Sequence, residues 1–271
     1  MIANWQEKKK QLYAGDERNN VVRRITLMNV GIDNITMQDA MNFITDCVEK
    51  RKKEYIVTPN VDHVVKLQNN EQFRKAYLEA GLVAVDGTPI VWVSKWCGKP
   101  LKEKITGPKL TEKTIELAST KNYSVFFLGG KKGVGDLAAK RMLEKYPGFR
   151  YVGAYSPKFG FEKDKEEIDK IISVINQAKP DILIVGMGSP KTEIFLNNIY
   201  ELIEANVSLS VGAAIDFCAG TVKRCPEWVN KIGFEWLYRF IKEPSRMFKR
   251  YFVDDFSFLF LAIKEKRKWG K

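Results

Sequence analysis

The stretch DILIVGMGSPKTE, residues 181–193, is the clearest indication of the fold. A short apolar run passes directly into glycines and then into a polar helix start, which is the pattern of a strand, a tight turn and a helix. Similar apolar runs recur along the chain, and helix-like segments of about 10–15 residues separate most of them. These runs are YIVT (55–58), LVAV (82–85), SVFFL (124–128), RYVGA (150–154) and VSLSV (207–211). Short apolar strands that alternate with helices predict an α/β fold, in which a mostly parallel, Rossmann-like sheet carries helices on both faces.

The N-terminal part of the pattern adds one more strand and a marked helix start. ITLMNV (25–30) predicts a strand. Thr36 is followed three residues later by Asp39, which is the spacing of a capping box. In that arrangement each of the two side chains satisfies a backbone N–H group that the first helical turn leaves without a partner. We therefore expect a helix to begin immediately after Thr36.

Composition divides the chain into three parts. Residues 1–22 are a polar lead-in, residues 23–220 form the α/β catalytic domain, and residues 221–271 form a basic appendage. Residues 224–271 hold twelve Lys or Arg against six Asp or Glu, and aromatic residues alternate with these charges. The pattern predicts an amphipathic helical segment that binds a membrane surface or covers the active site. The alternative is an ordinary core-packing helix with a solvated face.

The net charge of +12 indicates polyanionic partners, which include nucleic acid, an anionic membrane and phosphorylated substrates. The four cysteines show no C-x-x-C pair, and His63 is the single histidine, so the sequence predicts no protein metal site. The N-terminal residues lack the apolar run of a signal peptide, and no stretch approaches a membrane-spanning length. We expect a reduced, cytoplasmic protein that is soluble or peripheral. A basic nucleic-acid-binding protein is the non-enzyme alternative, and a nucleotide-dependent oxidoreductase is a second rival.

Polar residues and glycines follow the predicted strands at the points where the strands end. Parallel strands bring such loops to one edge of the sheet, where ligands bind in this class of fold. Asp86 follows the run 82–85 and predicts a general base for a sugar hydroxyl, with an Asx turn or helix cap as the alternative. Gly129 and Gly130 precede a helix, so their backbone can approach a phosphate. Gly188, in the loop after the apolar run of residues 181–185, also allows the backbone to approach a phosphate. A plain tight turn is the alternative for each of these two glycine loops.

Seven motifs in this chain, taken in order, resemble the WecG/TagA/CpsF family of glycosyltransferases, and in particular its TagA-type members of wall teichoic acid synthesis. The motifs are TPNVDHV (58–64), VAVDGTPIVW (83–92), ITGPKL (105–110), FFLGGKKGV (126–134), VGMGSPKTE (185–193), VGAAIDFCAGTVKRCPEW (211–228) and GFEWLYRFIKEPSRMFKRY (233–251). They span nearly the whole chain from about residue 25.

The resemblance implies a reaction. It implies an inverting transfer of N-acetylmannosamine from UDP-N-acetylmannosamine to C4 of N-acetylglucosamine on undecaprenyl diphosphate, without a metal or other cofactor. Other members of the family use N-acetylmannosaminuronic acid or different sugars, so another UDP-sugar donor is the alternative. The implied partners are the UDP-amino sugar, the polyprenyl-linked acceptor and the anionic inner face of the cell membrane. Self-association through the aromatic C-terminal segment stays open.

The resemblance also implies roles for residues at matching positions. Asp86 is the general base, Thr58 lies in the same pocket, and Arg239 and Arg246 reach over the diphosphate. The residues expected to contact substrate are Asn60, Gly129, Gly130, Gly188, Thr192, Glu193, Lys249 and Arg250.

Three positions depart from the family pattern. Thr192 stands where the family usually has glutamine, so the hydroxyl reaches less far toward a sugar. Lys249 stands where the family tends to have arginine, and lysine lacks the bidentate fork that matches a phosphate. Lys109 stands where an acidic residue is often found.

Overall fold

The computed structural model describes residues 24–222 and 256–269. The strands are β1 (Arg24–Leu27), β2 (Val30–Asp33), β3 (Glu54–Val57), β4 (Leu82–Val83), β5 (Ser124–Gly129), β6 (Arg150–Tyr155), β7 (Ile182–Gly186) and β8 (Val207–Ser210). The helices are α1 (Met37–Glu49), α2 (Val61–Asn69), α3 (Glu71–Glu79), α4 (Thr88–Trp96), α5 (Gly107–Lys121), α6 (Val134–Lys145), α7 (Lys165–Ala178), α8 (Lys191–Ile199), α9 (Ala214–Ala219) and α10 (Ser257–Trp269), with a short 3-10 turn at Phe161–Lys163.

Six strands form one sheet in the order β4-β3-β8-β7-β5-β6, and each neighbouring pair is parallel. The pairing puts the last residues of the strands in register. One row of paired residues crosses the sheet through Val83, Val57, Ser210, Val185, Leu128 and Tyr155. The predicted parallel α/β sheet is therefore confirmed, and the loops after its strands lie along one edge.

The first strand prediction was wrong in its extent. Residues 25–30 do not form one strand, because the chain turns at Met28 and Asn29 and returns as β2, antiparallel to β1. Both turn residues have positive φ, 49° and 62°, as in the two-residue turns that match the twist of a hairpin. The buried Asp33 carboxylate then joins this hairpin to the sheet, since it accepts a 2.8 Å hydrogen bond from the Val83 amide and pairs with Arg24.

Apolar side chains cover both faces of the sheet, which confirms the predicted layering. Alternate residues of β7 point to opposite faces: Ile182 and Ile184 pack with α1, α5, α6 and α9, whereas Leu183 and Val185 pack with α2, α3, α7 and α8. The capping box at Thr36 is also confirmed, because its hydroxyl accepts from the Asp39 amide and the Asp39 carboxylate accepts from the Thr36 amide. Burial of this kind stabilises a fold by roughly 25 cal/mol per Å² of apolar surface.

The C-terminal helix α10 packs against α2 and α4 through Ala262 and Glu265, which are both buried. It is the described helix of the predicted basic appendage at 221–271, whose helical character was expected. The predicted lead-in at 1–22 lies outside the described residues, as do residues 223–255 and 270–271 of the appendage. Within 24–222 and 256–269, no helix combines the length and apolarity needed to cross a membrane.

The backbones of three neighbouring strand ends approach one another more closely than a side chain allows. A Cβ atom on Gly186 would lie 2.5 Å from the carbonyl oxygen of Gly212, and one on Gly129 would collide with the carbonyl of Gly186. The Gly130 amide donates a 3.1 Å hydrogen bond to that same Gly186 carbonyl. Glycine is therefore required at this edge for close packing of the loops that carry the polar residues.

We expect Gly186→Ala to lower the free energy of unfolding by about 3 kcal/mol or more, because the new methyl group meets backbone rather than a flexible side chain. Urea unfolding followed by circular dichroism measures the change. Gly98→Ala is the control, since Gly98 has a positive φ of 71° but open space around it. That control should lose only about 1–2 kcal/mol. Equal losses in the two variants would contradict the close-approach argument.

Candidate active site

Asp86 stands where the loops after β3 and β4 meet the start of α5. Its amide donates a 2.8 Å hydrogen bond to the Pro59 carbonyl, and its Oδ2 accepts a 3.0 Å hydrogen bond from the Gly107 amide. Gly107 is the first residue of α5, so the half-buried carboxylate lies at the positive end of a helix dipole, which stabilises its negative charge. The predicted edge position is confirmed, and the helix-capping contact holds one carboxylate oxygen in a defined direction.

Thr58 and Asn60 lie in the loop beside Asp86 and are both engaged in local hydrogen bonds. The buried Thr58 hydroxyl donates to the Ser210 carbonyl at 3.1 Å and so joins the ends of β3 and β8. Asn60 Oδ1 accepts from the His63 amide at 3.2 Å and caps α2. These contacts are turn and helix-cap interactions that stabilise the loop itself. That Thr58 and Asn60 contact substrate stays a prediction.

The glycine loops lie further along the same edge. Gly129, Gly130 and Gly188 all have positive φ, and Gly188 is exposed. The loop after β5 continues through two exposed lysines, Lys131 and Lys132, into the N-terminus of α6. Backbone amides, a helix N-terminus and lysines together form a surface that suits a phosphate group.

Thr192 is directed into the protein rather than toward the edge. Its hydroxyl donates a 2.9 Å hydrogen bond to the Gly188 carbonyl, and its amide bonds the same oxygen at 3.1 Å. The side chain is almost completely buried. Thr192 therefore stabilises the loop after β7. Lys109, the other departure among the described residues, forms an exposed ion pair with Glu103.

Glu193 is a buried carboxylate beneath the same edge. Its Oε1 accepts a 2.9 Å hydrogen bond from the Ser210 hydroxyl, while Oε2 is buried and has no hydrogen-bond partner. Burial raises the pKa of Glu193 to about 7, and the Ser210 hydrogen bond offsets only part of that effect. Since Thr58 bonds the Ser210 carbonyl, Glu193 is joined through one residue to the loop beside Asp86.

His63 and Tyr77 form a buried pair that sequence reasoning did not assign to the site. His63 Nδ1 lies 2.8 Å from the Tyr77 hydroxyl, and both side chains are buried. Burial raises the pKa of Tyr77 well above its ordinary value, and the negative charges of Glu193 and Asp86 raise it further. The pair therefore lies within electrostatic range of both carboxylates. The only signal in the sequence was the helical spacing of His63 with the inward-facing Val64 and Leu67 of α2.

Arg239 and Arg246, expected to reach over the diphosphate, and Lys249 and Arg250, expected to contact substrate, lie outside the described residues. Among the residues that the structure describes, no group of three or more His, Cys, Asp or Glu side chains comes close enough to hold a metal ion.

The fold and this edge define a Rossmann-like α/β protein whose polar residues and phosphate-compatible loops converge where parallel strands end. A sequence profile described as "Glycosyl transferase WecG/TagA/CpsF family" matches residues 25–271. The chain therefore belongs to the WecG/TagA/CpsF family and is a glycosyltransferase. This assignment favours an enzyme over the nucleic-acid-binding and oxidoreductase alternatives.

The chain is similar in sequence to two named relatives. It is 32% identical over 203 residues to a protein of Bacillus spizizenii strain W23, covering 74% of this chain and 76% of the relative. It is 26% identical over 258 residues to a protein of Staphylococcus aureus strain MRSA252, covering 94% of this chain and 99% of the relative. Both relatives are named N-acetylglucosaminyldiphosphoundecaprenol N-acetyl-beta-D-mannosaminyltransferase.

We expect the stability of the wild-type protein to fall, relative to Glu193→Gln, as the pH rises from about 4.5 to about 7. The folded state holds the Glu193 proton more tightly than the unfolded state does, so its contribution is complete below pH 4.5 and is lost as the pH passes 7. Glutamine cannot ionise, although its oxygen still accepts from Ser210. Urea unfolding at a series of pH values measures the difference between the two proteins.

Ser210→Ala provides the companion measurement. Removing the hydroxyl takes away a hydrogen bond that favours the charged carboxylate, so the pKa of Glu193 should rise further and the loss of stability should move to higher pH. Parallel pH–stability curves for wild type and Glu193→Gln would show that Glu193 does not titrate in this range.

Proposed function

We propose that this enzyme transfers N-acetylmannosamine from UDP-N-acetylmannosamine to N-acetylglucosamine on undecaprenyl diphosphate, forming the linkage unit of a teichoic acid. Two observations together support the proposal. The relatives share the name of this activity, and a half-buried aspartate, Asp86, lies at the edge of the sheet where ligands bind in this class of fold. The match to the Staphylococcus aureus relative covers 94% of this chain and 99% of the relative, which supports the same reaction in both proteins.

Asp86 is the general base of the proposed reaction. Inverting transfer in one step requires removal of a proton from the acceptor hydroxyl while the donor sugar is attacked from the side opposite UDP. The Gly107 hydrogen bond orients the carboxylate, and the start of α5 stabilises it in the charged form that accepts a proton. The bond that forms joins the acceptor C4 oxygen to C1 of the donor, the C1–O bond to UDP breaks, and the proton moves to Asp86.

The departing UDP requires positive charge near its diphosphate. The loop at Gly129 and Gly130, the lysines after it and the N-terminus of α6 provide backbone amides and cations on one side. Arg239 and Arg246, with Lys249 and Arg250, supply the remainder in the proposal, as charge-assisted hydrogen bonds to phosphate oxygens. In this proposal, backbone amides and basic side chains stabilise the diphosphate without a metal ion.

A second donor is the alternative within the same chemistry. UDP-N-acetylmannosaminuronic acid carries an extra carboxylate, and Lys191 is a cation at the start of α8 that could receive it. The Lys191 ammonium lies 5.4 Å from the Phe159 ring, in the loop that follows β6. The acceptor is lipid-linked in either case, so we place the enzyme in the cytoplasm, peripheral on the inner face of the cell membrane.

We expect Asp86→Asn to lower the rate of sugar transfer by at least about 100-fold, because the amide keeps an oxygen for the Gly107 hydrogen bond but cannot take up the proton. The measurement is UDP release with a short-chain lipid-diphosphate-N-acetylglucosamine acceptor. Asp46→Asn is the matched control, since Asp46 lies on the remote helix α1 and pairs with Lys50 and Lys52 just after it. Its rate should stay at the wild-type level, and wild-type transfer by Asp86→Asn would overturn the assignment of the base.

The same assay with a panel of UDP-sugars tests the donor. We expect UDP-N-acetylmannosamine to support the fastest turnover. Faster turnover with UDP-N-acetylmannosaminuronic acid would establish the alternative, and a Lys191→Ala variant should then lose that preference.

Arg239→Ala and Arg246→Ala should each lower the turnover number by about 100-fold, which is typical of removing one group that stabilises developing negative charge. Lys242→Ala is the control, because it removes a positive charge from the same stretch without touching an assigned position. Circular dichroism verifies that the fold is retained. Equal activity in all three variants would remove these arginines from the mechanism.

A further inference from the structure

Helix α4 begins beside Asp86 and carries an aromatic stripe that leads away from it. The helix spans Thr88–Trp96, so its first residue follows Asp86 by two positions. Thr88, Trp92 and Trp96 are spaced by four residues, which places them on one face of a helix. Trp92 and Trp96 are 53% and 50% exposed, whereas Val93 of the same helix is buried. An apolar surface therefore starts at the catalytic edge of the sheet.

Lys104 adds a cation at the start of the stripe. Its ammonium donates a 3.1 Å hydrogen bond to the Thr88 hydroxyl, and the side chain is half-buried. The segment that carries it is fixed beside the catalytic loop, because the Ile105 amide donates a 2.8 Å hydrogen bond to the carbonyl of the residue before Asp86. Along the helix axis the ammonium is therefore at the level of Thr88, after Asp86 and before Trp92.

An acid, a cation and two indole rings thus follow one another along α4. At 1.5 Å per residue, Trp92 and Trp96 follow Thr88 by about 6 Å and about 12 Å along the axis. A sugar on a polyprenyl diphosphate presents complementary groups in the same order, namely a hydroxyl, two phosphates and then a hydrocarbon chain. The hydroxyl matches the carboxylate, the phosphates match the ammonium, and the hydrocarbon matches the indole rings.

We propose that Lys104, Trp92 and Trp96 form the acceptor subsite of this enzyme. The Lys104 ammonium binds the diphosphate of the acceptor, and the two indole rings bind the first isoprene units of its chain. This deepens the proposed function and rests on it for the identity of the acceptor. It separates the two diphosphates of the reaction, since the donor diphosphate is assigned to the loop at Gly129 and Gly130.

Positive charge at the far end of the stripe makes a second copy of the chain a poorer occupant. Lys95 is exposed beside Trp96, and the Lys266 ammonium of α10 lies 6.0 Å from the centre of the Trp96 ring. A symmetric contact would bring these cations against their own copies. A hydrocarbon chain has no charge at this end, and its diphosphate lies at the other end of the stripe.

The chain-binding part of the subsite is tested with two acceptors in water, without detergent or vesicles. Both carry N-acetylglucosamine on a diphosphate, and the diphosphate carries ethyl in one and farnesyl in the other. We expect the wild-type KM to be about tenfold lower for the farnesyl acceptor, which requires burial of only about 60 Å² of hydrocarbon. The turnover number should be the same for the two acceptors, because the reacting groups are identical.

Removal of the two indole rings should abolish this preference. In Trp92→Ser/Trp96→Ser the two KM values should differ by about twofold or less, whereas Trp92→Phe/Trp96→Phe keeps aromatic rings and should retain most of the preference. Leu202→Ser is the matched control, since Leu202 is 58% exposed but precedes β8 at the opposite edge of the sheet. That control should show the wild-type preference, and an unchanged preference in the serine double variant would overturn the proposal.

Lys104→Ala should raise the KM by about tenfold for both acceptors, because they share the diphosphate. The KM for the UDP-sugar should not rise with it, and Lys104→Arg should restore acceptor binding. Lys102→Ala is the control, since Lys102 lies two residues earlier and pairs with Asp39 on the surface, 3.9 Å away. A rise in the KM for the UDP-sugar instead of the acceptor would overturn the assignment of Lys104.

Binding without turnover separates failure of the subsite from failure of the proposed function. Calorimetry should show wild type binding farnesyl diphosphate about tenfold more tightly than ethyl diphosphate, and Trp92→Ser/Trp96→Ser binding the two alike. With this result but no sugar transfer by wild type, the proposed function is wrong and the subsite stands. Sugar transfer without any farnesyl preference in wild type overturns the subsite alone.

Two other occupants of the stripe have distinct outcomes. A wild-type dimer in sedimentation that Trp92→Ser/Trp96→Ser converts to monomer, with the ratio of the two KM values unchanged, would assign the stripe to a second copy and overturn the proposal. Weaker binding of that variant to phospholipid vesicles, again with an unchanged ratio, would assign it to a bilayer surface and overturn the proposal equally.

Discussion

The register of the parallel strands is the constraint on which the rest of the structure depends. Backbone hydrogen bonds between β3, β8 and β7 place Val57, Ser210 and Val185 in one row, so three loops leave the sheet at the same level. Gly186 then allows the backbones beyond that row to approach within a distance that excludes any side chain. Polar groups from distant parts of the chain meet at this edge because the peptide backbone, rather than any pair of side chains, sets their positions.

The chemistry beneath the edge is organised in two layers. Asp86 is half-buried and directed by the Gly107 amide, whereas Glu193 lies deeper and is joined to the edge through Ser210. A carboxylate in water ionises readily, but one that is buried with a single hydrogen bond holds its proton to a higher pH. The two acids therefore differ in their surroundings: Asp86 lies at the edge with one oxygen held by a backbone amide, and Glu193 is enclosed beneath the loops.

Helix α10 has two contrasting sides. One side of the helix closes the core over α2 and α4, and the opposite side leaves large apolar groups in contact with the surroundings. Phe260 is 64% exposed on that opposite side, whereas Ala262 is buried.

The α/β class and the capping box at Thr36 could be predicted from the sequence, because hydrophobic periodicity and cap spacing depend only on neighbouring residues. The strand-end position of Asp86 and the family followed from short motifs for the same reason. The sequence did not reveal the turn at Met28 and Asn29, since the mostly apolar stretch 25–30 is also compatible with a single strand when its backbone torsions are unknown. Only the three-dimensional structure shows that the Thr192 hydroxyl bonds the Gly188 carbonyl, and that Lys266 of α10 bonds the Trp96 carbonyl of α4. Those outcomes depend on contacts between residues far apart in the chain, which no local pattern encodes.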